Sequence, residues 1–223
     1  MKFVCSLAFV ALALAPRPVL AQEASDNDPL RDAPLRRYFA AFGGLVDIGS
    51  DTVPTLAAEY GEFMTRNSQA YANFSYFDNV MTDQMRNNLV TAADYIQQIT
   101  GVRRSFAGRD RGLAMTVGGK YVVGTTVRPY VGAGVGGMQI IRTITEATLG
   151  DVSQAFAQQA GLGDGVVSAG VTREMKPLGE VVAGVGFVTR KAYIDIGYRY
   201  RRAFHSATTI ELSQVSVGIG AKW

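Results

Sequence analysis

The feature that most constrains the fold is a strict two-residue alternation in the last ten residues, QVSVGIGAKW. One face of this segment is apolar and consists of Val215, Val217, Ile219, Ala221 and Trp223. The other face is small or polar and consists of Gln214, Ser216, Gly218, Gly220 and Lys222. Because successive side chains of a β-strand point to opposite sides, the segment is predicted to be a strand whose two faces meet different surroundings.

The same alternation recurs in GLAMTVGGKYVV, GEVVAGVGFV, KAYIDIGYRY and RRYFAAFGGLVDIG. In the last of these, Tyr38, Ala40, Phe42, Val46 and Ile48 are assigned to the apolar face, opposite Arg37, Ala41, Gly43 and Asp47. The non-apolar faces are mostly Gly, Ala and Ser with an occasional ion, which makes a poor surface for water. Such faces suit the lining of a narrow barrel, and the apolar faces then point outward to lipid.

The strand count supports a closed barrel with an even number of strands. Six segments are strong candidates: residues 36–48, 112–123, 128–144, 179–188, 191–204 and 212–223. Two more strands are expected at 57–66 and 69–77, around Asn67 and Ser68, although the first of these also fits a short helix. The predicted fold class is therefore all-β, an eight-stranded antiparallel up-and-down transmembrane β-barrel with a loop helix.

The predicted connections differ in length at the two ends of the barrel. Short turns are expected at 67–68, 124–127 and 189–190, and longer connections at 49–56, 78–111 and 145–178. Apolar residues recur at helical spacing within 79–100, which predicts the loop helix. A change of phase between Leu212 and Val215 predicts a bulge there, or the end of the membrane-embedded part.

Residues 1–21 are predicted to be a cleaved signal peptide. Lys2 precedes a thirteen-residue apolar run, which is shorter than the roughly 20 residues that span a bilayer as a helix. The only cysteine, Cys5, lies within that run. Residues 22–34 are polar and proline-punctuated, and they are predicted to form a disordered periplasmic tail before a barrel domain at 35–223. Removal of residues 1–21 leaves 20 basic and 19 acidic residues, so the charge gives no argument for nucleic acid.

Three segments of the later half resemble the outer-membrane protein β-barrel family, which includes opacity-type surface antigens and the barrel of outer-membrane protein A. They are RPYVGAGVG, IDIGYRY and VSVGIGAKW, and the resemblance covers residues 112–223. It implies a location in the outer membrane of a Gram-negative cell envelope. It also implies that the apolar face ending at Trp223 is the signal read by the barrel-assembly machinery, and that the role is structural or surface-interactive, as in an adhesin or antigen.

No catalytic or metal-binding set stands out. His205, Ser206 and Glu211 resemble the Ser/His/Glu triad of a barrel family that removes acyl chains from lipid A, which would imply a lipid A-modifying hydrolase. However, consecutive residues on a strand point in opposite directions, which works against contact between the nucleophile and the base. One histidine and no cysteine outside the signal peptide do not make a typical transition-metal site. The expectation is no enzymatic activity, no metal and no cofactor, with the hydrolase kept as an alternative.

Strand parity places a set of charged residues in the lumen: Arg37, Asp47, Lys120, Glu180, Asp195, Arg199 and Lys222. Unpaired charges there would be costly, so a network of salt bridges and hydrogen bonds is predicted to fill the barrel. Because eight strands leave an interior that side chains fill, an open porin-like pore is not favoured. A small-solute channel and a soluble ligand-binding barrel remain alternatives.

The densest basic segment is RRSFAGRDR, with Arg103, Arg104, Arg109 and Arg111. It precedes a strand that enters the outer side of the membrane, where lipopolysaccharide phosphates lie, and Arg makes forked contacts to phosphate. The alternative is a solvated loop whose charges pair with Asp110 and its neighbours. The expected partners are thus outer-membrane lipid and lipopolysaccharide, the barrel-assembly machinery, and an extracellular ligand of the loops.

Overall fold

The computed structural model describes residues 37–152, 173–189, 192–204 and 209–223. The predicted signal peptide and tail lie outside these ranges. Eight antiparallel strands form the barrel: β1 (Arg37–Ile48), β2 (Asp51–Phe63), β3 (Ser68–Phe77), β4 (Phe106–Val122), β5 (Val127–Glu146), β6 (Arg173–Val188), β7 (Ala192–Ala203) and β8 (Ile210–Lys222). A helix, α1 (Asp83–Thr100), lies between β3 and β4, and a two-residue strand, Gly150–Asp151, pairs with the end of β5.

The sheet closes on itself, because each strand pairs with its sequence neighbours and β1 also pairs with β8. A line of paired residues can be followed once around the barrel: Arg37, Glu62, Ala70, Gly119, Ala133, Val181, Tyr200, Ser213 and Asp47. The line returns to β1 ten residues beyond its start, which is the shear of the barrel. With eight strands, this shear corresponds to strands tilted by about 40°. The predicted fold class is confirmed.

The interior is filled in three layers. An apolar layer lies at the end with the short turns and contains Tyr38, Ala40, Phe42, Phe63, Tyr71, Val122, Tyr130, Val182, Val188 and Tyr193. A second apolar layer lies toward the helix end and contains Val46, Ile48, Phe77, Val80, Ala114, Met138, Ile140, Leu178, Ala203, Ile210 and Leu212. Buried charged side chains lie between and beside these layers. Eight strands leave room for side chains of this kind, and here they occupy it.

The connection between β1 and β2 is a two-residue turn, so the longer connection predicted at 49–56 is wrong. Ile48 pairs directly with Asp51, and Gly49 between them has a φ of 62°. Glycine adopts such a positive φ without steric cost, which permits a tight hairpin. The long connection after β3 is also shorter than predicted, because β4 already begins at Phe106.

The segment that also fitted a short helix forms a regular strand. Residues 57–63 belong to β2 and are not helical, because they pair with β1 on one side and β3 on the other. The predicted bulge before Val215 is wrong, since the register of β7 with β8 is unbroken from Ala192 opposite Ala221 to Ala203 opposite Ile210. Ile210 and Leu212 are apolar although they lie on the inward face of β8, because they pack in the second apolar layer. The outward apolar residues of β8 begin only at Val215, which explains the change of phase in the sequence.

The predicted orientation of β1 is also wrong. Tyr38 and Phe42 point into the barrel, and their neighbours on the strand point outward. The reason lies in glycines on the adjacent strands: a Cβ at Gly61 would lie 2.2 Å from the Tyr38 ring, and one at Gly218 would lie 2.4 Å from the Phe42 ring. The glycine-lined lumen therefore holds aromatic rings from neighbouring strands.

Helix α1 confirms the loop helix predicted within 79–100. The Thr82 hydroxyl accepts the backbone N–H of Met85 at its start, and Gly101 ends it in the left-handed conformation. Leu89 and Ala92 are buried against Ile144 of β5. Among the described residues, no helix is long and apolar enough to cross a membrane.

Candidate functional sites in the barrel interior and on its outer wall

The centre of the interior is organised around the Glu59 carboxylate of β2, which is fully buried. Lys120 of β4 and Arg199 of β7 both form ion pairs with Glu59. The Tyr38 hydroxyl donates a third hydrogen bond to the same carboxylate. Side chains from four strands therefore meet at one carboxylate, and two cations compensate its charge.

A second buried carboxylate, Glu180 of β6, is joined to the first through Arg199. The Arg199 Nη1 lies 3.3 Å from the Glu180 Oε1, and the Arg201 Nε lies 2.5 Å from its Oε2. The Tyr71 hydroxyl donates to Glu180 at 2.7 Å and the Thr116 hydroxyl at 3.2 Å. These contacts connect both carboxylates, which makes the charges one network and not separate pairs.

Arg201 uses its remaining donors on neutral acceptors. Its Nη1 donates to the Gln214 side-chain oxygen at 2.6 Å, and its Nη2 donates to the Asn73 oxygen at 2.9 Å and the Ser75 hydroxyl at 3.1 Å. Arg201 is 0% exposed. A buried guanidinium with this many acceptors is held in one place, so it fixes β7 against β3 and β8.

The third carboxylate of the centre, Asp195, is held by tyrosine hydroxyls. Tyr130 donates to it at 2.8 Å, and Tyr193 donates to its other oxygen. The Lys120 ammonium lies 4.5 Å from the centre of the Tyr130 ring and 4.9 Å from that of Tyr71. Three cations, Lys120, Arg199 and Arg201, thus balance the three carboxylates of this central charge cluster.

Arg128 is a further interior cation outside this balance. It is 3% exposed, and its Nε and Nη1 have no hydrogen-bond partner among the residues that the structure describes. Its guanidinium carbon lies 4.2 Å from the centre of the Phe63 ring, in the apolar layer near the short turns. A buried guanidinium that stacks on a ring without an acceptor carries an uncompensated desolvation cost.

The structure brings together four of the seven residues that parity placed in the lumen, namely Lys120, Glu180, Asp195 and Arg199. Lys222 points inward at the mouth, paired in the register with Tyr38. Arg37 and Asp47 were placed wrongly, because β1 has the opposite orientation. Arg37 instead pairs with Glu62 at 2.9 Å on the outside, and the Thr52 hydroxyl donates to Asp47 at 2.6 Å on the exposed surface.

Two central residues, Glu59 and Arg201, were missed by the sequence analysis. Glu59 lies in the segment whose strand or helix character was left open, so its direction was undefined. Arg201 could have been found, since it follows Arg199 by two residues and therefore shares its face. Glu59 could be recognised only after its strand was paired in register with β1 and β3.

The four arginines of the basic segment divide into two places. Arg109 and Arg111 point outward from the start of β4, and Arg103 and Arg104 lie in the connection after α1. The Arg104 Nη1 lies 3.5 Å from the Glu146 Oε1. The predicted alternative of pairing with Asp110 does not occur, because Asp110 points inward and accepts two hydrogen bonds from Arg142 at 2.9 Å.

Arg109 is held on the outer wall by Asp78. Its guanidinium forms an ion pair with the Asp78 carboxylate, and this hydrogen bond is the main reason that the pKa of Asp78 is lowered. The charge of nearby Arg111 lowers the pKa of Asp78 further. The Arg111 side chain makes no hydrogen bond or ion pair to the residues that the structure describes.

The remaining residues that the sequence analysis named are those of the alternative hydrolase and of the assembly signal. His205 and Ser206 lie outside the described residues, and Glu211 lies on the exposed surface near Arg202. In the part of the chain that is described, no group of three His, Cys, Asp or Glu side chains could hold a metal ion. The five residues of the predicted assembly signal all point outward along the end of β8.

Solved structures similar to this chain include outer-membrane β-barrels. Neisserial surface protein A is 13% identical, with 86% of this chain and 98% of that chain covered and a TM-score of 0.49. The N-terminal β-barrel domain of OprF from Pseudomonas aeruginosa is 11% identical, with coverage of 85% and 99% and a TM-score of 0.49. The outer membrane enzyme PagL is 10% identical, with coverage of 82% and 97% and a TM-score of 0.38. No protein-family model and no curated protein sequence matches the chain.

Proposed function

We propose that the protein is a closed outer-membrane β-barrel with a structural or surface-interaction role and no enzymatic activity. The observation that carries this proposal is an inverted distribution of polarity. Large apolar side chains point outward and are exposed, as in Val135 at 67%, Ile219 at 65% and Leu45 at 57%, while ion pairs fill the centre. In water such a surface would be a strong aggregation liability, whereas in a bilayer it faces lipid tails.

The outward-pointing apolar side chains form a belt around the barrel, and this belt is bordered at both ends by residues that suit the surface of a bilayer. At the end with the short turns, outward aromatic residues form a ring that contains Phe39, Tyr121, Phe187 and Trp223. At the helix end, outward ionic residues begin directly beyond the apolar ones, as at Asp47 after Leu45 in β1 and Arg111 before Leu113 in β4. A belt about 25 Å tall between such rims is typical of outer-membrane barrels, and aromatic rings favour the interface.

The orientation follows from the connections. Short turns of outer-membrane barrels face the periplasm and longer connections face the exterior. The connection from Asp78 to Ser105, with α1, therefore faces outward from the cell. Its helix exposes Val90, Tyr95 and Ile99, which supports a role in surface contact.

The filled interior favours a sealed barrel over a small-solute channel. The central charge cluster and the side chains that hydrogen-bond to it come from all eight strands, and an apolar layer lies on each side of it. An ion would have to disrupt both layers and the network to pass. Wild-type protein in planar bilayers is expected to give no stepwise conductance, and steady conductance steps would establish the channel alternative.

The proposal is tested by membrane fractionation combined with heat-modifiable gel migration. The expected result is recovery in the outer-membrane fraction and a shift in migration between unheated and boiled samples. Recovery in the periplasmic fraction without detergent would overturn the proposal in favour of a soluble ligand-binding barrel. Lipid analysis after a His205→Ala substitution addresses the hydrolase alternative, since a changed lipid profile would contradict the absence of enzymatic activity.

A further inference from the structure

We propose that the outer wall between β4 and β5 holds a binding site for the phosphate group of an outer-leaflet lipid. This inference rests on the proposed membrane location. Arg109, Arg111, Thr143 and Thr145 line a shallow groove of about 310 Å³ together with Ala107 and Gly108. The Thr145 hydroxyl donates to the Ala107 carbonyl at 3.3 Å, so the groove offers its arginines and the Thr143 hydroxyl as donors on the face of the barrel that meets the membrane.

Strand pairing brings the donors of the groove together. Arg109 lies opposite Thr143, and Arg111 lies opposite Ile141, so all three polar side chains stand on the same outward face of adjacent strands. Outward residues two apart on one strand, and their partners across the ladder, lie within the span of one phosphate and its neighbouring sugar. The arrangement is produced by the fold, because Arg111 and Thr143 are 32 positions apart in the chain.

The charge of the groove favours an anion. Arg109 and Arg111 contribute two positive charges, and the Asp78 carboxylate that pairs with Arg109 contributes one negative charge. Arg109 is held in place by that pair, while the Arg111 guanidinium keeps its donors for a ligand. Arginine binds phosphate through forked, charge-assisted hydrogen bonds, which makes Arg111 the principal anion ligand.

The position of the groove favours a lipid over a free anion. Directly toward the bilayer from Arg111, the outward residues of β4 are Leu113 and Met115, and Ile141 of β5 lies opposite Arg111. A lipid phosphate held by Arg111 would place its acyl chains along these apolar side chains. Inorganic phosphate would gain nothing from them.

Arg103 and Arg104 do not belong to this site. They lie beside α1 with Leu89, Val90 and Phe106, and Arg104 is engaged with Glu146. The lipid-contact prediction for the basic segment is therefore narrowed to its last two arginines.

The experiment measures lipid binding to the purified full-length barrel in maltoside micelles by native mass spectrometry. The probes are phosphorylated lipid A, dephosphorylated lipid A and inorganic phosphate. Phosphorylated lipid A is expected to bind about tenfold or more tightly than the dephosphorylated form, and Arg111→Gln is expected to remove most of that difference. Arg66→Gln is the matched control, because Arg66 is also exposed and also lacks an ion pair to the described residues, but it lies in the turn at the opposite end.

Three results would overturn the lipid site. They are equal binding of the two lipids, an equal loss in Arg66→Gln, and competition by inorganic phosphate at the concentration of the lipid. Heat-modifiable migration of each variant verifies that its barrel is folded. A chain that fractionates with membranes and shows heat modifiability but does not discriminate the lipids contradicts only this site, whereas a chain that fails fractionation contradicts the proposed function itself.

Discussion

Glu59 and Arg199 form an ion pair inside the barrel although 140 residues separate them in the chain. Glu59 lies on β2 and Arg199 on β7, so the contact exists only when β1 and β8 have closed the sheet. The pair is fully buried and extends to Lys120 on one side and to Glu180 on the other. The ion pair between Glu59 and Arg199 therefore requires the closed barrel.

Removal of the Glu59 charge is expected to destabilise the barrel strongly. Glu59→Gln leaves Lys120 and Arg199 without the carboxylate that compensates both, and a broken buried pair costs about 3–5 kcal/mol. The measurement is the free energy of unfolding in urea, with the protein folded in detergent micelles. Glu62→Gln is the control, because Glu62 lies on the same strand but pairs with Arg37 on the outer surface.

The Glu62→Gln control is expected to change the free energy of unfolding by less than about 1 kcal/mol, since exposed ion pairs contribute little. Equal effects of the two substitutions would contradict the assignment of Glu59 to a buried network.

Replacement of Arg128 by Met is expected to stabilise the barrel. The substitution loses a cation–π contact with Phe63, worth about 0.5–2 kcal/mol, and relieves two buried unsatisfied donors that cost about 1–3 kcal/mol each. These ranges leave a net gain of roughly 0–5 kcal/mol, which should appear as a higher urea midpoint. Arg201→Met is the opposite control, since it removes a guanidinium whose donors are satisfied, and it should lower the midpoint.

A midpoint that falls in Arg128→Met would show that the Arg128 guanidinium has an acceptor in the folded protein.

Glycine in the lumen is expected to be required where it meets an aromatic ring. Gly218→Ala places a Cβ 2.4 Å from the Phe42 ring, and overpacking of this kind costs about 1–3 kcal/mol. Gly43→Ala is the matched control, because nothing lies within 4 Å of a Cβ at that outward position. It should be neutral or slightly stabilising. A stability of Gly218→Ala equal to that of wild type would mean that Phe42 can leave its position at no cost.

The connection after β5 is expected to loosen in acid. The backbone N–H groups of Leu149 and Thr148 donate to the Glu146 carboxylate at 2.7 and 2.8 Å, and these hydrogen bonds, with Arg104 nearby, lower the pKa of Glu146 below its ordinary value of 4.5. Since the folded pKa is depressed, the stabilisation is present at neutral pH and is lost as the pH falls through the folded pKa.

This pH dependence is measured from the amide NMR signals of Thr148 and Leu149 during a titration in micelles. Both should shift with a common midpoint below 4.5, and Glu146→Gln should abolish the transition. A midpoint at or above the ordinary value would contradict the capping role of the carboxylate.

Much of the fold follows from the sequence because alternation is a local property. Val215, Val217 and Ile219 on one side and glycine and serine on the other define both a strand and its two faces from ten residues. The same pattern gave the direction of Lys120, Glu180 and Arg199 correctly. In each of these strands only one face is clearly apolar, so the alternation by itself indicates which side chains point outward and which point into the lumen.

The tertiary structure decided which way a strand faces where both of its faces are apolar. It also decided the secondary structure of the segment whose sequence fits both a strand and a helix. In β1, Tyr38 and Phe39 compete for the interior, and the choice depends on glycines of β2 and β8 that make room for the Tyr38 and Phe42 rings. Glu59 could not be placed because its direction depends on strand pairing. The phosphate groove likewise joins residues of β4 and β5 through their register. Local sequence determines which residues alternate, but only the closed sheet determines which cavities remain to be filled, because those cavities are bounded by residues far apart in the chain.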